Sequence, residues 1–235
     1  MTVEEVITIS LGGSIINPGT IDRPFLEEFQ KLILSDMNSN PHRRYIIICG
    51  GGRVARDYIQ ASPPDLPPGQ RDLLGIAPTW VNAQLVAAWF HGHAPTSPPQ
   101  DFYTFVDQIK HYRVLVGGGF LPAIKTDEDA AIIADYFNSP ILINVTNVDG
   151  VYDKDPRRHP EATKFDHMTY QEFIQFVSPV DAGPGASAPF TLIATKIAER
   201  SGCRLLVVSK DIEAIAATLQ GQNVGTEISA HRPEN

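Results

Sequence analysis

The chain has 235 residues, 43% of them hydrophobic, and a formal net charge of −8. That length can bury a large core, as one α/β domain or two closely joined lobes, while the acidic balance excludes sequence-independent nucleic-acid binding, which needs basic surface to displace counterions. The opening MTVEEVITISLGG is acidic and lacks the apolar core of a signal peptide, and no apolar run reaches the roughly 18 residues of a membrane span, so the expected compartment is the cytoplasm.

Val6–Ser10 reads as the first strand, followed at once by Gly12-Gly13-Ser14. Two glycines let backbone amides approach a phosphate, and the serine hydroxyl adds a donor. Asp22 and Pro24 mark a helix start, with Phe25, Leu26, Phe29, Leu32 and Ile33 as its apolar face. Tyr45–Cys49 is the second strand. It runs into Gly50-Gly51-Gly52 and a helix with Val54, Ala55, Tyr58 and Ile59 on one face. Amides and the positive end of that helix favour an anion, and Arg56, one turn in, can add a bidentate grip.

Residues 61–69 form a Pro-rich loop. Arg71–Gly75 follow, and a strongly apolar helix is expected from about Thr79 to Phe90, suited to a core or a subunit interface. HGHAPTSPPQ, 91–100, is a second Pro-rich loop in which His91 and His93 lack a matching carboxylate or cysteine cluster and read as solvated. A helix over Asp101–Lys110 and a strand over Arg113–Val116 come next. Gly117-Gly118-Gly119, FLPAIKTDED and an Ala/Ile-rich helix to Phe137 make a second strand–glycine–helix passage. Two such anion cradles are what a reaction between two phosphorylated partners requires. Lys125 and Thr126 can donate to phosphate. Asp127 can orient a lysine or carry a metal ion, although an aspartate at a helix start is by default an N-cap.

PILINVTNVDGVYDKD, 140–155, is a buried strand emptying into a polar turn. That is how open α/β sheets place ligand groups, at the carboxyl ends of strands. A helix near Thr169–Val177, a Gly/Pro/Ala-rich loop over 178–190 long enough to be mobile, and a helix over Thr191–Ser201 carrying Lys196 follow. Cys203–Val208 is a buried strand, Asp211–Gln220 a helix and Val224–Ile228 a short closing strand, ahead of the tail HRPEN, which reads as frayed. Cys49 and Cys203 sit in apolar runs and read as buried free thiols. About six strands alternating with helices predict a largely parallel sheet covered on both faces.

TNVDGVY-x-x-DP, with the two glycine turns in order, resembles the amino-acid kinase superfamily, and within it the archaeal-type uridylate (UMP) kinases, from about Ile7 to Ile228. The resemblance implies a three-layer α/β/α sandwich with a largely parallel central sheet. It implies a single kinase domain over 1–235, with an acceptor-binding lobe to about residue 138 and an ATP-binding lobe from about 139. ATP would be held by Gly13, Ser14, Gly52, Arg56, Thr146, Asn147, Tyr152 and Asp155. UMP would be held by Gly51, Asp72 and the loop Phe120, Leu121, Pro122, Ala123, Ile124, Lys125 and Thr126. Lys196, Asp127 and Arg56 would be catalytic, with Mg²⁺ riding on ATP and no protein metal cage. A homo-oligomer, hexameric by resemblance, is implied.

Three departures stand out. Ser10 occupies the position where many relatives have a lysine. FLPAIKTD replaces a THPGHTTD-like acceptor loop, exchanging smaller, hydroxyl-bearing groups for bulkier ones, so phosphate grip and base pocket are expected to differ, with Lys125 supplying a point charge. The Pro-rich insertion at 61–69 lies next to Asp72. The competing readings are a kinase of the same fold with another phosphate or carboxylate acceptor, and a non-catalytic nucleotide-binding or storage protein.

Overall fold

The computed structural model describes residues 5–181 and 189–231. Most of the 178–190 loop and most of the HRPEN tail lie outside the described residues. In chain order the elements are β1 (Glu5–Leu11), α1 (Gly13–Ile16), α2 (Arg23–Ser39), β2 (Arg43–Cys49), α3 (Gly52–Gln60), α4 (Pro68–Trp89), α5 (Phe102–Gln108), β3 (Val114–Gly117), α6 (Thr126–Tyr136) and β4 (Ile141–Thr146). They continue with β5 (Val151–Tyr152), β6 (Lys164–Phe165), β7 (His167–Thr169), α7 (Tyr170–Asp181), α8 (Leu192–Ser201), β8 (Arg204–Ser209), α9 (Ile212–Leu219) and β9 (Thr226–Ser229).

Seven strands form one sheet in the order β3-β2-β1-β4-β8-β9-β7. The first five are mutually parallel; β9 runs antiparallel to β8, and β7 parallel to β9. Strands such as β1 and β2 are buried on both faces, which explains why they read as unbroken apolar runs rather than alternating ones. On one face the core is closed by α2, α4 and α9 through Phe29, Ile33, Val86 and Ile215. On the other it is closed by α5, α6, α7 and α8 through Phe105, Ile133, Phe173 and Ala198. Burying a phenylalanine, isoleucine or valine of this set contributes about 1.5–3 kcal/mol, so both helical layers are held against the sheet. This is the expected three-layer α/β/α sandwich.

Some local expectations are corrected. The helix expected from Thr79 begins at Pro68, runs 22 residues and contains Pro78. Pro68 sits in its first turn, where the missing amide costs nothing, and Pro78 is itself buried at the start of the packed half of the helix, where Thr79, Asn82, Ala83, Val86 and Ala87 are buried as well. The three short strands β5, β6 and β7 went unread, having two or three residues each. Asp127 is not an N-cap. Lys125 holds that position, and Asp127 lies within the first turn of α6. Cys49 and Cys203 are buried free thiols, as expected.

Candidate active site

β1, β2 and β4 end at a shared cleft of about 650 Å³. The turns after β1 and β2 touch backbone to backbone. A Cβ on Gly13 would lie 2.2 Å from the Gly52 amide nitrogen and 2.4 Å from the Gly50 carbonyl oxygen. Gly52 has φ +62°, and a Cβ there would lie 2.6 Å from the Gly13 carbonyl carbon. Glycine is therefore required at both positions, by contact at Gly13 and by contact and backbone conformation at Gly52. The result is a close-set backbone floor from which α3 starts, with its positive end towards the cleft; within it the Gly12 and Gly50 amides already donate to the Val145 and Leu11 carbonyls. Ser14 and Arg56 line the same space, and Arg56 is solvent-exposed one turn into α3.

The opposite wall comes from α6 and β4. Thr126 and Asp127 line the cleft, and Asp127 accepts a 2.8 Å hydrogen bond from the buried Ser10 hydroxyl on β1. Burial pushes the Asp127 carboxyl up to about 6, against the pull of Ser10 and the nearby Lys125. Glu128 and Asp129 follow, both buried. The Asp129 carboxyl is pushed up to about 7 by burial and accepts a 3.3 Å bond from the Phe120 amide. Glu128 accepts from the Lys125 amide at 2.9 Å and from the hydroxyl of Thr191, the N-cap of α8, at 3.0 Å. Three acids in the first turn of α6 suit the positive end of its dipole.

The β4–β5 passage supplies the third wall. Thr146, Asn147, Tyr152 and Asp155 all line the cleft. The Thr146 hydroxyl closes a small turn on the Val148 backbone, and Tyr152 donates to Asp149 at 2.8 Å. Asp155 accepts from the backbone amide and guanidinium of Arg157 at 3.1 and 3.0 Å, and that contact holds its carboxyl below the ordinary range. Among the described residues no group of three His, Cys, Asp or Glu side chains is arranged to hold a metal ion.

The structure thus brings the eight expected ATP-site residues, together with Gly51, Thr126 and Asp127, around one cleft. It does not bring in Asp72, Phe120–Lys125 or Lys196, none of which lines that cleft. Asp72 instead accepts a 2.8 Å bond from the amide of Ala123, which sits at φ +65°. The partly buried Phe120 ring packs edge-on against Phe105 of the core, with centroids 5.6 Å apart. Leu121 and Pro122 are exposed, as is Lys196 on α8. Sequence reasoning missed Asn144, Lys154, Arg157 and Arg158 as cleft residues. Asn144 carried a signal: it is a polar residue inside the apolar run of β4, and its amide donates to the Pro189 carbonyl at 2.6 Å.

Residues 5–209 match the Amino acid kinase family. The chain is 36% identical over 223 residues to the uridylate kinase of Thermoplasma acidophilum, covering 93% of this chain and 94% of the relative. It is 35% identical over 225 residues to that of Archaeoglobus fulgidus, covering 95% and 99% respectively. The crystal structure of the Archaeoglobus fulgidus uridylate kinase superposes with a TM-score of 0.83 over 96% of this chain and 100% of that one, at 34% identity. The UMP kinase of Bacillus anthracis, 18% identical, shares the fold with a TM-score of 0.76 over 97% of each chain. With its glycine turns, its sheet order and this full-length likeness, the chain belongs to the amino acid kinase family.

Proposed function

We propose that this chain transfers the γ-phosphoryl group of ATP to UMP. A phosphate oxygen of UMP attacks the γ-phosphorus, the bond to the β,γ-bridging oxygen breaks, and UDP and ADP leave. The observation that carries this reading is the backbone contact between the Gly12–Ser14 and Gly50–Gly52 turns, which builds one backbone floor for adjacent phosphates. Similarity to uridylate kinases over 93–95% of the chain supports it.

Phosphoryl transfer leaves the protein little covalent work beyond alignment and charge neutralisation. On this reading Gly13, Ser14 and Gly52 hold the ATP phosphates, and Thr146, Asn147, Tyr152 and Asp155 hold its nucleoside. Gly51, Asp72 and the segment 120–126 hold UMP. Arg56, exposed at the cleft edge, draws charge from the transferring oxygens. Asp127, steadied by Ser10, organises the centre from the opposite wall. Lys196, exposed on α8 and outside the cleft lining, is assigned to the transferring oxygens on the motif resemblance alone. A magnesium ion carried by the nucleotide would find a hard oxygen donor in Asp127, which lines this wall of the cleft. When bound, the ion would neutralise phosphate charge.

We further infer a cytoplasmic homo-oligomer. No helix among the described residues is long and apolar enough to cross a membrane. Val81 and Leu73 on α4, 70% and 51% exposed, and Tyr58 on α3, 59% exposed, are apolar groups that a second copy would cover.

The test is ADP release from Mg-ATP against UMP, CMP, dTMP, AMP and no acceptor. Turnover confined to UMP is expected. Turnover with another acceptor instead would keep the kinase and discard UMP. ATP binding without turnover on any acceptor would discard catalysis of this kind.

A further inference from the structure

The glycine turns after β2 and β3 begin side by side, because Ile48 pairs with Gly117 in the parallel ladder. The sheet fixes where the turns start but not the paths they take beyond it. Those paths are held by α4. Asn82 donates to the Gly50 carbonyl at 2.7 Å, Trp80 donates to the Gly119 carbonyl at 2.9 Å, and Asp72 takes the Ala123 amide.

Thr79 differs from these three in touching both turns. Its hydroxyl accepts from the Gly119 amide at 2.8 Å while donating to the Ile76 carbonyl at 2.6 Å. Its methyl faces the other turn, where a Cβ added to Gly51 would stand 3.3 Å from Thr79 Cγ2. The fit to the β3 turn is close: a Cβ on Gly118 would fall 2.4 Å from the Thr79 hydroxyl oxygen. Thr79 is 4% exposed, so no water can replace a lost partner at low cost. A helical threonine satisfies its own hydroxyl on a carbonyl of the preceding turn. The bond from Gly119 is additional and crosses between elements.

We propose that Thr79 is a positioning residue for the acceptor nucleotide. Its hydroxyl and methyl together set the separation between the Gly50–Gly52 turn and the Gly117–Gly119 turn with the loop that follows. This rests on the reading above that Gly51 and the 120–126 segment hold the acceptor. Valine and serine each keep one half of the device. Valine keeps the methyl contact and orphans the Gly119 amide; serine keeps the hydroxyl and loses the contact with Gly51.

The experiment measures KM for UMP and for ATP separately in Thr79→Val, Thr79→Ser and Asp72→Ala, with thermal melts alongside. Thr79→Val is expected to raise KM for UMP about tenfold while KM for ATP stays within about twofold, because an orphaned loop amide disturbs the acceptor wall. Thr79→Ser is expected to recover most of that loss, leaving a rise of about threefold. The serine variant carries the test alone if the valine variant does not fold. Unchanged KM for UMP in the Thr79 variants, beside a raised value in Asp72→Ala, would overturn the role of Thr79 and leave the acceptor assignment standing. A rise in KM for ATP in all three variants, with none for UMP, would overturn the acceptor assignment itself and this inference with it.

Discussion

The Ser10 hydroxyl on β1 donates to the Asp127 carboxylate on α6 at 2.8 Å, joining the strand under the backbone floor to the helix facing it. The two residues are far apart in sequence, and the bond between them holds the Asp127 carboxylate through a neutral donor rather than a charge.

Asp127 titrates near 6, raised by burial, so its charged form predominates at neutral pH and is lost as pH falls through that value. Activity is expected to decline on the acid side with an apparent pKa close to 6. Ser10→Ala removes a bond that favours the charged form, so the acid limb should move to higher pH. A pH–rate profile of kcat for both proteins checks this; superimposable limbs would detach Ser10 from Asp127.

Gly13→Ala places a methyl 2.2 Å from the Gly52 nitrogen, an overlap that only separation of the two turns can relieve. ADP release should fall by about 100-fold or more, because a misplaced cradle loses alignment as well as binding. A soluble, folded Gly13→Ala protein with near-normal turnover would show that the turn contact is not needed for catalysis.

Lys196→Ala should lower kcat by roughly tenfold or more, since it removes a charge assigned to the transferring oxygens. Lys196 is exposed, so the melting temperature should not move. Steady-state kinetics and a thermal melt together decide it. Unchanged kcat would move phosphate neutralisation to Arg56 and the cleft cations Lys154, Arg157 and Arg158.

Asp129 is buried and its carboxyl is pushed up to about 7, above the ordinary unfolded value near 3.9. The folded state therefore holds this proton more tightly than the unfolded state does. Its contribution to stability is present at low pH and is lost as pH rises from about 4 through 7. Asp129→Asn can keep the bond to the Phe120 amide without the buried charge. It should stabilise the protein at pH 8 by on the order of 1–4 kcal/mol, and by much less at pH 5. Denaturant midpoints at the two pH values measure the difference.

The strand–glycine–helix passages were legible because each couples a short-range signal, an apolar run, to a residue that serves one backbone purpose. The cleft wall after β4 was legible for the same reason: Thr146, Asn147, Tyr152 and Asp155 leave one strand end in a single local passage. Contacts between distant elements were not. Phe120 packs edge-on against Phe105, and nothing in local spacing announces a ring contact across two elements. Asp127 looked like an N-cap because the competing partner, Ser10, lies on a distant strand. Thr79 and Asn82 read as interior positions of an apolar helix; their bonds to Gly119 and Gly50 depend on how α4 packs over the ends of β2 and β3, which local sequence does not announce. Pro78 disguised a continuous α4 as a loop followed by a helix.

The central claim is transfer from ATP to UMP, and ³¹P NMR of Mg-ATP and UMP with the enzyme tests it most directly. The account predicts that the β-phosphate resonance of UDP grows in step with that of ADP, without inorganic phosphate. ADP accompanied by inorganic phosphate, or resonances of ATP and UMP that stay unchanged, would contradict it.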